Sequence, residues 1–496
     1  MAHVWSDEEV KSFKLLLGKI LENFHDEEDF KEARVVAKLL TEVGPEDAEA
    51  WYFLGFLNGV LGAFNEAQNN FFRSLELGGE KFSNYTQLAQ ICMNRGDFKE
   101  AIQWGYRALE CNPEDVLIYH KIADLHVLEG DTRKAAKLLE SLLKVTSIAI
   151  KDRFTTLVRL GHLCILTQRM KKALDHFEAA QKLNPSDESL WTDIGHCLSR
   201  LGDKEGTLSA FRKAANSKPS PLNLYNLGDA YLAMDDPERS IAPLVEATRK
   251  APGFSLAHYD LSLAFVKMKK YHEGVAPAIA ALRSDPEMKL QQTNPGLGAM
   301  NNLGLCLMNL GRYEEALECF RRNIKLMSSA YFNMGLTFFK MKNYKEALGH
   351  FQKALDIRPD DQEYLDLVGQ TYTELGKYKL AEKYLRKSVK KDPKYALAYY
   401  DLGVLLAKFK ARQREALRCF MTAIKLDPNM AWAYYSVACL YAMSGNKEQA
   451  LNYLSQSLEK GLSNKKHIES DPDMDSLREE KEFRRLMIKY FPEKIN

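Results

Sequence analysis

The sequence predicts an all-α chain of about thirteen helix-turn-helix repeats, and three observations carry that prediction. Small residues recur at a fixed spacing: Gly55, Ala89 and Ala123 stand 34 apart, as do Gly161 and Gly195, and again Gly335, Gly369 and Gly403. Twelve positions further on comes a second small residue, at Ala67, Ala101, Ala135, Ala173, Ala347 and Ala381. Between these markers large apolar residues fall three to four apart, as in Tyr331, Met334 and Phe338, which is a helical period rather than the alternation of a strand.

Each element follows from those positions. The first marker sits near the middle of one helix (A) and the second near the start of the next (B), so that two antiparallel backbones can approach closely. The glycine costs about 1 kcal/mol of helix propensity against alanine, and close packing offsets it. Turn glycines at Gly311 and Gly376 join A to B. A proline then closes many units, at Pro113, Pro185, Pro252, Pro359 and Pro393, because the residue before proline resists the α region. Units are expected to begin near Lys14, Ala48, Phe82, Val116, Phe154, Glu188, Pro221, Ser255, Leu297, Ser328, Gln362, Ala396 and Ala431.

The spacing breaks at three joints. Four extra residues lie around VTSIAIKDR, the junction at IKLMSSAY is short, and eight extra residues surround EMKLQQTNPGLG. The expected organisation is a lead-in at 1–13, repeats over 14–286, an insertion at 287–296, repeats over 297–461 and a helical cap at 462–496.

The 34-residue pattern resembles the tetratricopeptide repeat family, which implies a right-handed α-α superhelix whose concave face is its usual binding surface. The closing segment SDPDMDSLREEKEFRRLM resembles the end-of-group segment of bacterial arrays of this kind, through Asp471, Pro472, Asp473, Asp475, Leu477, Arg478 and Phe483. That resemblance implies a cover for the last apolar helix face.

The position two before the helix-A marker faces the groove in such a superhelix. It reads Lys19, Phe53, Gln87, Lys121, Arg159, Asp193, Asn226, Asp260, Asn302, Asn333, Leu367, Asp401 and Ser436, with Tyr225, Tyr259, Phe332, Tyr400 and Tyr435 one step earlier. An amide offers both donor and acceptor, so an Asn row can hold the backbone of an extended peptide. Asn226, Asn302 and Asn333 are similar to the asparagine ladder of O-linked N-acetylglucosamine transferase superhelices. Here Asp193, Asp260 and Asp401 interrupt the ladder and Leu367 breaks it, and these departures suggest ligands with basic side chains. Lys121 and Arg159 form a separate basic section. No three consecutive units supply the Lys, Asn and Arg set of a carboxylate clamp for chaperone tails.

Other function classes find little support. The chain has 496 residues and a formal net charge of +2, from 69 basic and 67 acidic side chains, which argues against a nucleic-acid binder that relies on overall positive charge. No phosphate-binding loop, no H-E-x-x-H motif and no room for a catalytic domain outside the repeats point to an enzyme. Asp124, His162, His196 and Asp229 form the best metal candidate, but donors on successive helices are too far apart for one ion, so neither metal nor cofactor is expected. Eight scattered cysteines suit buried free thiols. The start, MAHVWSDEEVKSF, lacks the regions of a signal peptide, and no apolar run has membrane length. A cytoplasmic, non-catalytic scaffold or adaptor with protein or peptide partners is therefore expected, with oligomeric state open. The alternative is a structural protein that assembles through stacked repeat ends.

Overall fold

The structure, a computed structural model, describes residues 11, 12, 15, 27–185, 187, 189–284, 298–322 and 328–492. Among the described residues every regular element is helical. They fall into two compact units, Met1–Pro219 and Ser220–Asn496. The division lies at Lys218-Pro219-Ser220-Pro221, where two prolines interrupt the chain between the helices Lys204–Ser217 and Pro221–Ala233. The expected insertion at 287–296 and most of the expected first helix A lie outside the described residues.

The first unit contains the helix Glu27–Val43 followed by five antiparallel helix pairs, from Ala48–Val60 with Phe64–Glu76 to Leu190–Leu201 with Lys204–Ser217. The second contains seven, from Pro221–Ala233 with Pro237–Lys250 to Ala431–Met443 with Lys447–Glu459. The described residues thus hold twelve complete pairs. The extra residues before Phe154 lengthen a helix, so that Ile150–Leu166 has 17 residues where most A helices have about 13. The Arg153 guanidinium secures that extension by donating to the Leu143 and Val145 carbonyls at 3.0 and 3.1 Å.

Close packing inside each pair explains the small residues. A Cβ on Gly161 would come within 2.5 Å of the Phe177 ring, and one on Gly335 would come within 2.5 Å of Phe351. The missing side chain thus makes room for an aromatic ring from helix B, and Phe71, Phe177, Phe320, Phe351 and Phe420 are among the largest fully buried side chains. The second markers, Ala67, Ala101, Ala135, Ala173, Ala347 and Ala381, are all fully buried. Gly311 and Gly376 adopt φ of 79° and 71° at the turns, a conformation that glycine enters without strain.

A serine on helix B often fastens its pair. Ser74, Ser388 and Ser457 donate to the carbonyls of Ala48, Gln362 and Ala431 at 2.7–2.8 Å, in each case at the start of helix A.

After the last pair come the helix Lys465–Ser470, a 3-10 turn Pro472–Leu477 and the helix Lys481–Tyr490. Ile468, Met474, Leu477, Phe483 and Met487 are buried with Ala438, Ala442, Leu454 and Leu458 of that pair. Apolar side chains of the closing segment therefore cover the final repeat.

Candidate functional site

The groove residues expected from the sequence occupy one position on successive A helices, and their depth differs between the units. In the second unit Asn226, Asp260, Asn302 and Asn333 are 4%, 5%, 0% and 7% exposed, so they lie in the seam between neighbouring helices and not on an open surface. Asn302 Nδ2 donates to Ser262 Oγ at 2.8 Å, and Asn333 Nδ2 donates to Asn301 Oδ1 at 2.8 Å. Among the described residues three atoms of the row have no hydrogen-bond partner: Asn226 Nδ2, Asp260 Oδ2 and Asn302 Oδ1.

The flanking aromatics divide into two kinds. Tyr225, Tyr259 and Tyr400 are half-buried, with Tyr225 5.0 Å from the Phe254 ring and Tyr400 5.8 Å from Phe420. Phe332 is a core residue, stacked on Tyr364 at 4.7 Å and packed against Phe351.

Burial sets the protonation of the acids. It pushes Asp260 well above the usual carboxylate range, and the Asp229 charge adds to the effect, although a hydrogen bond from Tyr225 opposes it. Where the row was expected to be broken by Leu367, its neighbour Asp366 is buried and its carboxyl is likewise pushed well up, first by burial and then by Asp401. Asp401 is raised to about 6, mainly by burial. Gln370 Nε2 bridges the pair, 2.6 Å from Asp401 Oδ2 and 3.2 Å from Asp366 Oδ2. Asp366 was missed because it lies one position out of register with the row.

The first unit holds Asp193, Lys121 and Arg159. Arg159 ion-pairs with Asp124 at 2.7 Å, Lys121 Nζ donates to Gln90 Oε1 at 3.4 Å, and His162 Nε2 lies 3.1 Å from Asp193 Oδ2. The basic section is therefore partly neutralised. The residues weighed as a metal row have other contacts too, with His196 set edge-on to Phe211 at 5.2 Å.

A second feature was not apparent in the sequence. A cleft of 610 Å³ is lined by residues from Ala396–Ala407, Ala431–Met443 and the closing segment, among them Tyr400, Trp432, Tyr435, Cys439, His467, Asp471 and Asp473. Its acids lie more than thirty residues from its aromatics, so no local motif joins them. The Tyr435 hydroxyl donates to Asp471 Oδ2 at 2.7 Å. Donor atoms of Cys439, Asp471 and Asp473 lie within 4.8 Å of one another. All eight cysteines are free. Among the described residues no helix is long and apolar enough to cross a membrane.

Comparison with known proteins agrees with the helical pairs. Tetratricopeptide repeat family models match residues 82–115, 154–187, 299–327, 328–361, 363–395, 396–430 and 419–452. A 57-residue stretch is 44% identical to a protein CTR9 homolog of Arabidopsis thaliana, covering 12% of this chain and 5% of that protein. A 69-residue stretch is 35% identical to the peroxisomal targeting signal receptor of Candida glabrata, covering 14% of this chain and 12% of the receptor. The chain thus aligns with only a small part of these curated relatives. Among solved structures, Cut9-Hcn1 of the APC/C aligns over 98% of this chain and 97% of its own at 12% identity, with a TM-score of 0.41. Naa15/Naa10 bound to HypK-THB aligns over 97% and 76% at 16% identity, with a TM-score of 0.38. The paired helices of this chain include tetratricopeptide repeats.

Proposed function

We propose that the chain is a non-catalytic scaffold or adaptor that holds an extended protein segment along the A helices of its second unit. Tetratricopeptide repeats in general mediate protein-protein interactions, and that is the background to the reading. The observation that carries it is a run of polar atoms at one position without partners among the described residues: a donor at Asn226, an acceptor at Asn302 and a carboxyl oxygen at Asp260. Leaving such an atom buried and unpaired costs about 1–3 kcal/mol. A peptide backbone supplies both kinds of partner once neighbouring helices part slightly. Tyr225, Tyr259 and Tyr400 would flank the segment, with Asn333 and Asp401 extending the row. Asp193, Lys121 and Arg159 would contact further parts of a partner in the first unit.

The test is photo-cross-linking in a cell lysate, with a benzophenone amino acid replacing Tyr259 or Tyr400, or Lys345 on an exposed helix-B face. Shared partners captured at Tyr259 and Tyr400 but absent at Lys345 are expected. Equal capture at all three positions would sink the reading.

A further inference from the structure

We propose that the cleft between the last repeat and the closing segment binds an arginine side chain presented by a partner protein. This does not rest on the row from Asn226 to Asn333; of the groove positions read from the sequence, the cleft includes Tyr400, Tyr435 and Ser436.

The argument starts from charge. Asp471 commits Oδ1 to its own turn, accepting from the Asp473 amide at 3.0 Å, and Oδ2 receives the Tyr435 hydroxyl. Arg478 Nη2 donates to the Asp471 main-chain carbonyl at 2.9 Å and Nη1 pairs with Asp475. Among the described residues the one basic group within ion-pair reach of the Asp471 carboxylate is His467, with Nε2 3.6 Å from Oδ2. Asp473 has no ion pair among the described residues. Burial and the carboxylates Asp471 and Asp473 push the Cys439 thiol up, and burial with Asp471 and Asp475 does the same to Asp473. Burial is the larger cause in both, and the neighbouring carboxylates add a negative potential that a cation would relieve. Lys408 is exposed and is the one lysine among the lining residues, against two carboxylates.

The walls select among cations. Trp432 is 41% exposed and stands edge-on to Tyr435 at 5.9 Å and to His467 at 5.4 Å. Tyr400 adds a further ring. A guanidinium is flat and weakly hydrated, so it can stack on an aromatic face while its edge donates two parallel hydrogen bonds to a carboxylate. An ammonium matches only the charge. At 610 Å³ the space also admits the backbone on either side of the arginine.

The full chain would be titrated, in EDTA and low salt, into fluorescein-labelled Gly-Ser-Gly-Arg-Gly-Ser-Gly and its citrulline counterpart, with anisotropy as the readout. EDTA removes any metal that Cys439, Asp471 and Asp473 could hold. The arginine peptide should bind at least about tenfold more tightly than the citrulline peptide, the scale of one well-placed charge contact. Asp473→Asn, at an exposed position, should remove that advantage, Trp432→Ala should weaken binding about threefold, and Asp475→Asn should stay within about twofold. Circular dichroism confirms that each variant is folded. Equal binding of the two peptides, no binding of either, or an unchanged Asp473→Asn variant overturns the proposal. A lysine peptide that binds as tightly as the arginine peptide overturns the assignment to a planar cation.

Discussion

At the same helix-A position the two units use different side chains and obtain different surroundings. In the first unit Gln87, Lys121 and Arg159 are long enough to leave the seam between helices, and Arg159 finds Asp124 at its edge. In the second unit Asn226, Asp260, Asn302 and Asn333 are short and stay buried. These long side chains reach the edge of the seam and these four short ones are packed inside it. The equally short Asp193 of the first unit, by contrast, is only half-buried and meets His162 at 3.1 Å. A charged group on a long stem keeps its hydration, whereas a short amide or carboxyl must find a partner inside or go without.

The largest expected effect is one that the units should share. Phe177→Ala and Phe351→Ala each empty the space above a helix-A glycine and should cost about 3–5 kcal/mol in urea unfolding. Similar losses in both units would confine their difference to the polar row, and a marked inequality would extend it to the core.

Next comes the acid pair of the second unit, buried Asp366 and half-buried Asp401. Asp401 titrates near 6 when folded against 3.8 when free, so the folded chain binds more protons than the unfolded one between these values. Stability should therefore fall as pH rises from about 4 through 6, by on the order of 2 kcal/mol, and Asp401→Asn should flatten the slope. A wild-type midpoint that rises over that range would contradict the assignment.

A smaller effect is expected at the row itself. Asn302→Ala loses the bond to Ser262 but also removes an unpaired oxygen, so about 1 kcal/mol should be lost. Smallest is Arg159→Ala, which breaks a half-exposed ion pair worth about 0.2–1 kcal/mol, and the loss should vanish in high salt. If Arg159 cost more than Asn302, the contrast between the units would be reversed.

Much of the fold was legible because a repeat states its own geometry many times. The helices beginning at Ala48, Val116, Pro221, Ser255, Ser328, Gln362, Ala396 and Ala431 start where the spacing places them. Ile150 precedes its expected start at Phe154 because the inserted residues lengthen the helix instead of forming a loop. The candidate site was less legible. Period gives the face of a helix but not how deeply a neighbour covers it, so Phe332 was read as a groove residue while it packs in the core. The fate of Cys439 was half visible: its burial followed from its position, but its carboxylate neighbours arrive from the closing segment.

The serine fasteners have a mechanical consequence. Ser74, Ser388 and Ser457 each tie the end of a pair to its own beginning, 26 residues away. Stretched from its termini, such a chain would resist in small installments, each pair yielding as its own fastener breaks. Every step would release about 34 residues, a contour of roughly 12 nm at full extension. The result would be a regular sawtooth of low peaks instead of one abrupt rupture.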